Sequence, residues 1–441
     1  MSSEQKQRST RRDFLRATAV SGVGLWAANT ARAQDAAGGK SPNDKVAFAC
    51  VGVGGKGDSD TADAARFGNV VAICDVDENT LAGAAKKYPN ARPYTDFRKM
   101  LDEMGKSVDA VTVSTPDHTH APAAAMAMRM GKHCFCQKPL THTIYEARKL
   151  GEIAREMKVA TQMGNQGTAD NGMRKNAALV RAGALGTVKE VHVWTNRPIW
   201  PQGGPRPAAT LPPPNLHWSQ WLGPAPFRPY GPGYHTFSWR GWWDFGTGAL
   251  GDMACHTVNL PFMALDLRDP TSVVAQTSGH NRDSYPKSSQ IRFEFPANGT
   301  RPALALFWYD GGKLPPAGIV PGVDKLSDSG SLIVGDKGKL YTPGDYGGGG
   351  RFIDPVDVGS VSFPQSPGHF EEFIRAIKTG EPARSNFPDY AGPLTETILL
   401  GNLAVWADGK KIEWDARNLR ATNAPEVHDI IVPRYRGGYA L

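Results

Sequence analysis

The stretch VGVGGKG, residues 51–57, restricts the architecture of this chain more than any other feature. It places Gly52-x-Gly54-x-x-Gly57 directly after the apolar run KVAFACV and ahead of the helical pattern DSDTADAARF. Taken alone the glycine spacing is weak evidence, but a strand–turn–helix context gives each glycine a duty. Gly52 permits the tight turn, Gly54 lets backbone approach a pyrophosphate, and Gly57 lets helix and strand pack closely. The phosphates would rest on the helix N-terminus, with Gly55 and Lys56 beside them. A second apolar run, VVAICD, ends at Asp75, where a carboxylate suits ribose hydroxyls and repels a 2′-phosphate. The expected cofactor is therefore NAD, with NADP disfavoured.

Alternation continues beyond this unit. ENTLAGAAKKY, TDFRKMLDEM, HAPAAAMAMRM and TIYEARKLGEIAREM have helical spacing, and DAVTVST, KHCFC and VATQMG read as strands between them. Strands alternating with helices imply right-handed crossovers and an α/β, doubly wound parallel sheet over residues 45–164. Residues 165–441 have a different texture. GMRKNAALVRAGAL is helical, and TVKEVHVWTNR alternates as a half-buried strand with His192, Trp194 and Asn196 on one face. A Pro/Gly/aromatic segment then runs from Pro198 to Tyr234, long enough to imply a functional loop. TSVVAQTS, QIRFEF and PALALFWY read as strands, ANGT as a hairpin turn, and HFEEFIRAIKTG and PLTETILLGNLAVWA as helices. The second part is expected to be an α+β domain with a mainly antiparallel, open sheet.

The N-terminal 33 residues read as an address. Thr10-Arg11-Arg12-Asp13-Phe14-Leu15, a mildly apolar stretch and Ala31-Arg32-Ala33 resemble a twin-arginine export signal with a small-residue cleavage site, followed by a polar linker over 34–44. Residues 1–33 hold six Lys/Arg and two Asp/Glu, so their removal takes the formal net charge from +7 to +3. The basic balance is mostly the signal's, and no nucleic-acid footprint or membrane span remains after processing. Cys50, Cys74, Cys134, Cys136 and Cys255 fall at buried strand or helix positions rather than in a disulfide framework.

The chemistry concentrates in three places. STPDHTH and CQKPL follow the fourth and fifth apolar strands, at the sheet edge where doubly wound folds hold ligands. They make Thr115, Pro116, His120, Gln137 and Lys138 candidates for the cofactor site. GTGALGDMACH, residues 246–256, puts Asp252 four residues before His256. That spacing places both on one helix face, and suits an acid/base pair, half a metal site or an ordinary helix surface. His118-x-His120 and Cys134-x-Cys136 supply further metal-ligand types, but without a familiar zinc spacing, so no metal is expected.

Together VGVGGKG, CDVDE, TPDHTH, QKP and GALGDMACH resemble the Gfo/Idh/MocA oxidoreductase family over nearly the whole chain after residue 33. The resemblance implies a Rossmann domain followed by a C-terminal domain whose open sheet builds homodimers or homotetramers. It makes Lys138 the catalytic lysine, Asp252 its acidic partner and His256 the proton acceptor, and it favours acid/base machinery for the Asp252–His256 pair. The family often carries Glu where this chain has Gln137, removing a negative charge beside the lysine. Oxidation of a carbohydrate or polyol CH–OH group is implied, with His256 taking the hydroxyl proton. Export implies a tightly bound NAD, since free dinucleotide is not dependably supplied outside the cytoplasm. An NAD-dependent glycosidase, working by oxidation, elimination, hydration and reduction, is the alternative, and a sugar-binding protein with structural NAD a lesser one. For the sugar, Trp194, Asn196, Arg197, Arg240 and Trp243 are the named candidates. Trp200, Trp218, Trp221 and Trp242 offer further flat faces, and Tyr309 and Asp310 are weaker.

Overall fold

Six parallel strands, β1 (Val46–Val51), β2 (Gly68–Cys74), β3 (Arg92–Tyr94), β4 (Ala110–Val113), β5 (His133–Cys136) and β6 (Thr161–Met163), are ordered β3-β2-β1-β4-β5-β6. This is the doubly wound order whose switch point lies between β1 and β4, where such sheets place their ligands. The computed structural model describes residues 45–354 and 359–441; the export signal expected over 1–33 and the linker 34–44 lie outside the described residues. Strands β1, β4 and β5 are almost wholly buried because crossover helices cover both faces.

The crossovers are α1 (Lys56–Phe67), α2 (Glu78–Lys87), α3 (Phe97–Met104), α4 (Asp117–Arg129) and α5 (Ile144–Met157). Their starts follow from local chemistry. Asp77 caps α2 by accepting the Asn79 and Thr80 N–H groups, and Thr143 with Glu146 forms a reciprocal capping box on α5. α1 has no side-chain cap: Gly55 precedes it, leaving its N-terminus without a side-chain acceptor.

The second sheet has nine strands in the order β13-β12-β11-β7-β10-β9-β8-β14-β15. They are β7 (Val188–Trp194), β8 (Ser272–Thr277), β9 (Ser289–Phe295), β10 (Leu304–Tyr309), β11 (Gly330–Gly335), β12 (Lys339–Pro343), β13 (Arg351–Ile353), β14 (Ile412–Asp415) and β15 (Arg420–Ala421). β7 and β10 pair parallel and the other neighbours antiparallel, so the sheet is mainly antiparallel. The helices of this half include α6 (Asn171–Arg181), α7 (Trp218–Leu222), α8 (Gly248–Thr257), α9 (Asn259–Leu265), α10 (His369–Thr379) and α11 (Gly392–Trp406). Among the described residues no helix is long and apolar enough to cross a membrane.

Strand β7 departs from the half-buried reading. Val191 through Trp194 are all buried, because the segment carrying Val320, with Ile319, Val323 and Leu326, covers the second face. The Pro/aromatic segment has its own small core, in which Trp218, Trp221, Tyr234, Trp239, Trp242 and Phe245 pack together. Its tryptophans fold the loop, and of them Trp221 and Trp239 also line a cleft at the carboxyl edge of the first sheet.

Candidate active site

A cleft of about 570 Å³ opens along the carboxyl edge of the first sheet. Gly52, Gly54, Gly55, Lys56, Asp75, Thr115, Pro116, Gln137 and Lys138 line it. Gly57 stands behind it and is irreplaceable there: a Cβ on Gly57 would come within 2.0 Å of the Gly52 carbonyl. Asp75 accepts the Val53 and Asp77 N–H groups at 3.0 Å each, which fixes its carboxylate at the end of β2. Burial raises its pKa, although those backbone bonds act against the shift. Gln220 adds a carboxamide oxygen that is buried and without a hydrogen-bond partner among the described residues. A glycine cradle, a helix start without a side-chain cap, a fixed carboxylate and an orphaned amide oxygen fit a dinucleotide.

Asp60 was not legible as a site residue. It is 1% exposed and gathers Lys56, Ser114 and Gln137: Lys56 Nζ lies 2.5 Å from Oδ1, while the Ser114 hydroxyl and the Gln137 amide donate to Oδ2 at 2.7 and 2.8 Å. This explains the glutamine beside the lysine. A carboxamide donates to Asp60, whereas a glutamate at the same place would set two carboxylates together. His120 stands beneath the cleft rather than in its lining. Its ring nitrogens face the carbonyls of Thr115 and Pro139, each at 2.8 Å, tying the two ligand-edge loops together.

The far wall of the cleft comes from the aromatic segment, which lies across the cofactor edge as a strap. Glu78 N–H donates to the Asn215 carbonyl and His217 N–H to the Val76 carbonyl, both at 2.9 Å. Asp77, besides capping α2, accepts from Asn215 Nδ2 at 2.9 Å and faces His235 Nε2 at 3.1 Å. Burial acts to raise the Asp77 pKa, but Asn215, His235 and the cap N–H groups together hold it below the usual range. Gln220, Trp221, His235 and Arg240 of the strap line the cleft, and Tyr439 from the C-terminal segment joins them. Sequence reading singles out this segment as a functional loop and Arg240 as a site residue, but not its attachment across the cleft through Asp77, Asn215 and His235.

At one end of the cleft Lys138 Nζ donates to Asp252 Oδ1 and to the Asp252 carbonyl, both at 2.8 Å. Arg240 Nε donates to the same Oδ1 at 3.1 Å. Burial acts to raise the Asp252 pKa, but Lys138 and Arg240 outweigh it and hold the carboxyl well below the usual range. The turn into α8 makes this possible, since Gly246 packs so tightly on Arg240 that a Cβ would come within 2.5 Å of its Cα. Asp117, at the start of α4, also lines the cleft; burial pushes its carboxyl up to about 6, and its Oδ2 accepts the Thr247 hydroxyl at 2.7 Å. His256 follows Asp252 by one helical turn but does not line the cleft. Burial, reinforced by the Lys138 charge, pushes its imidazole down to about 3, so it is unprotonated at neutral pH.

Of the residues expected to meet a sugar, Arg240 lines the cleft, with its guanidinium stacked 4.3 Å from Trp239 and bound to Asp252 and the Phe237 carbonyl. Four do not line it. Trp194 is fully buried on the second sheet, stacked on Tyr341, with Nε1 donating to the Ser327 carbonyl. Asn196 lies beyond the end of β7 and donates to Asp328, and Arg197 turns to Asn196. Trp243 stacks on Tyr285 at 3.7 Å and borders a separate cavity of about 300 Å³ with Glu146, Asp244 and Tyr435. Tyr309 and Asp310 belong to the second sheet too, where Asp310 binds Trp308 Nε1. Trp194, Asn196 and Asp310 are hydrogen-bonded within the second half, whereas the buried Trp243 Nε1 has no hydrogen-bond partner among the described residues. His118, for its part, faces the carbonyls of Trp221 and Phe245, while Cys134 and Cys136 are buried in β5.

Comparison with known proteins bears on the two halves of the chain. A model of the Gfo/Idh/MocA oxidoreductase family, NAD-binding Rossmann fold, matches residues 46–165, and the model of the family's C-terminal alpha/beta domain matches 178–441. Inositol 2-dehydrogenase of Salmonella typhimurium is 28% identical over 125 residues, which is 28% of this chain and 37% of that protein. Alignments to the curated relatives of this kind span only about a third of those proteins, 30% and 37% in two cases. Among solved structures, the WlbA dehydrogenase from Bordetella pertussis in complex with NADH and UDP-GlcNAcA is 18% identical, with a TM-score of 0.59 over 84% of this chain and 99% of that one. The aldose-aldose oxidoreductase from Caulobacter crescentus is 17% identical, with a TM-score of 0.57 over 84% and 100%. At such identities these two structures establish the fold.

Proposed function

This chain belongs to the Gfo/Idh/MocA oxidoreductase family, and from that membership we propose that it oxidises a CH–OH group of a carbohydrate or polyol using tightly held NAD. The observation that carries the reading is the Lys138–Asp252 ion pair at the end of the dinucleotide cleft, with His256 one helical turn further on. When bound, NAD supplies a two-electron acceptor for the carbinol carbon. The glycine turn and the α1 N-terminus would hold its phosphates, and Asp75 its adenosine ribose.

The chain's own residues account for the rest. His256 is unprotonated at neutral pH and free to take the hydroxyl proton. The Lys138 ammonium stabilises negative charge growing on the oxygen that loses that proton. Asp252 keeps Lys138 in position and stays ionised in doing so, because Arg240 shares the load of neutralising it. The strap supports tight retention, since Asn215 and His235 fasten it to Asp77 across the wall of the cleft. The export signal expected in residues 1–33 points the same way, because an exported enzyme must carry its own cofactor.

The test is to purify the protein without added dinucleotide, denature it, and identify and quantify what is released. Near one NAD per chain, together with turnover of a polyol or a pair of sugars, is the expected result. An empty site that refills and empties freely overturns tight retention, and absence of any polyol or sugar oxidation with NAD supplied overturns the activity.

A further inference from the structure

The large cleft reaches Lys138 and Asp252 but not His256. The His256 residue is 6% exposed, and its Nδ1 is buried with no hydrogen-bond partner among the described residues. An unpartnered buried polar atom of this kind destabilises the fold, and such costs persist where a ligand removes them. Against the imidazole stands the ring of Tyr346, centroid to centroid 5.1 Å at an interplanar angle of 76°. Tyr346 is itself 43% exposed, so its ring stands between the histidine and solvent.

Tyr346 belongs to the glycine-rich loop PGDYGGGG that joins β12 to β13. The loop is anchored on one side of the tyrosine and lightly tethered at its tip. Asn176 Nδ2 donates to the Gly347 carbonyl at 3.2 Å, and Gly348 packs on the Asp170 carboxylate so closely that a Cβ would come within 2.4 Å of it. The tyrosine ring lies over Gly167, where a Cβ would approach Cδ1 to 3.2 Å. Its phenol oxygen accepts one neutral hydrogen bond, from Gln166 Nε2 at 3.2 Å. A substrate hydroxyl can replace that bond at little cost, because the phenol both donates and accepts and the carboxamide donates.

We propose that Tyr346 is the specificity-determining residue of the site: its ring covers His256, and its phenol, with Gln166, binds the hydroxyl next to the one His256 deprotonates. The substrate class is then the vicinal diol, as found in sugars and cyclitols, in preference to an isolated alcohol. This rests on the polyol-oxidising reading above.

The test has two arms on the holoenzyme. In the first, diethyl pyrocarbonate labelling is followed residue by residue by mass spectrometry, with exposed His428 and buried His118 as internal references. Tyr346→Ala should raise the labelling rate of His256 about tenfold or more, with His428 and His118 unchanged, and Tyr346→Phe should leave it protected; equal rates at His256 in wild type and Tyr346→Ala overturn the covering role. In the second arm, trans-cyclohexane-1,2-diol is compared with cyclohexanol. Tyr346→Phe should raise KM for the diol about tenfold with a smaller change in kcat, which corresponds to about 1.4 kcal/mol, and should erase the preference over cyclohexanol. An unchanged preference overturns the specificity role, and it does so even if Tyr346→Ala fails to fold. Should wild type oxidise neither compound nor any sugar while His256 is uncovered as expected, it is the polyol reading that fails and not the covering by Tyr346.

Discussion

Replacing Asp77 separates two duties held by one carboxylate. It caps α2 through the Asn79 and Thr80 N–H groups, and it fastens the strap through Asn215 and His235. The side chain of Asp77 is 12% exposed and that of His235 18%, so the pair is only lightly screened by solvent. Loss of a helix cap costs about 1 kcal/mol, and loss of a hydrogen bond to a charged group about 1.5–3 kcal/mol. If the strap must lift before the dinucleotide leaves, weakening its attachment by about 2 kcal/mol speeds release about thirtyfold. Asp77→Ser keeps a capping oxygen but is too short to reach the strap, so it should accelerate release and lower the thermal midpoint only by the lost strap contacts. Asp77→Ala should release as fast and lower the midpoint further, by the cap loss of about 1 kcal/mol. The assay is loss of bound dinucleotide fluorescence after dilution of reduced holoenzyme into a scavenger, beside a thermal unfolding curve for each variant. Release from Asp77→Ser at the wild-type rate would refute the strap as the barrier.

Other outcomes follow from the same geometry. Lys138→Met leaves Asp252 with Arg240 alone and should lower kcat about a thousandfold while dinucleotide stoichiometry holds; a loss under about tenfold contradicts the role given to the lysine. Gln137→Glu sets a second carboxylate against buried Asp60 and should cost about 3 kcal/mol at neutral pH. The loss should shrink as pH falls, because the folded pair binds a proton that the unfolded chain releases, and a pH-independent loss would contradict the contact. His256 takes up a proton in the unfolded chain below its ordinary value of 6.5 but in the folded chain only near 3, so its contribution erodes stability as pH falls through that window. Urea unfolding at pH 7 and pH 5 should therefore show wild type losing about 2 kcal/mol more than His256→Gln, and equal losses would show the histidine to be hydrated.

Much of the first sheet was legible because its signals are local. The glycine turn, Asp75 and the run of apolar strands each report on their own neighbourhood, and QKP and GALGDMACH pointed by resemblance to Lys138 and Asp252, which the structure pairs at the cleft. What was not legible depends on residues far apart in the chain. Asp60 meets Gln137 from 77 positions away, and Asp77 meets His235 from 158. Nothing in DSDTAD or DVDENT distinguishes those two carboxylates from solvated helix-start acids. The tryptophans misled for a related reason. Trp194 and Trp243 have the composition of a sugar platform, but their partners Tyr341 and Tyr285 come from other strands and loops and occupy their faces first. The strands β11 to β13 went unread because a glycine-rich sequence such as GSLIVGDKGKLYTP has little alternation to report.

The strap also bears on modularity. A boundary near Gly164 suggests a nucleotide-binding half open to exchange or separate expression, yet Gln220, Trp221, His235 and Arg240 on the opposite wall come from beyond that boundary. A chimera joining residues 45–164 to another protein's second half would inherit a trough with one side missing. Because Arg240 of that same segment also reaches Asp252, recombination there disturbs the cofactor cleft and the Lys138–Asp252 pair in a single event.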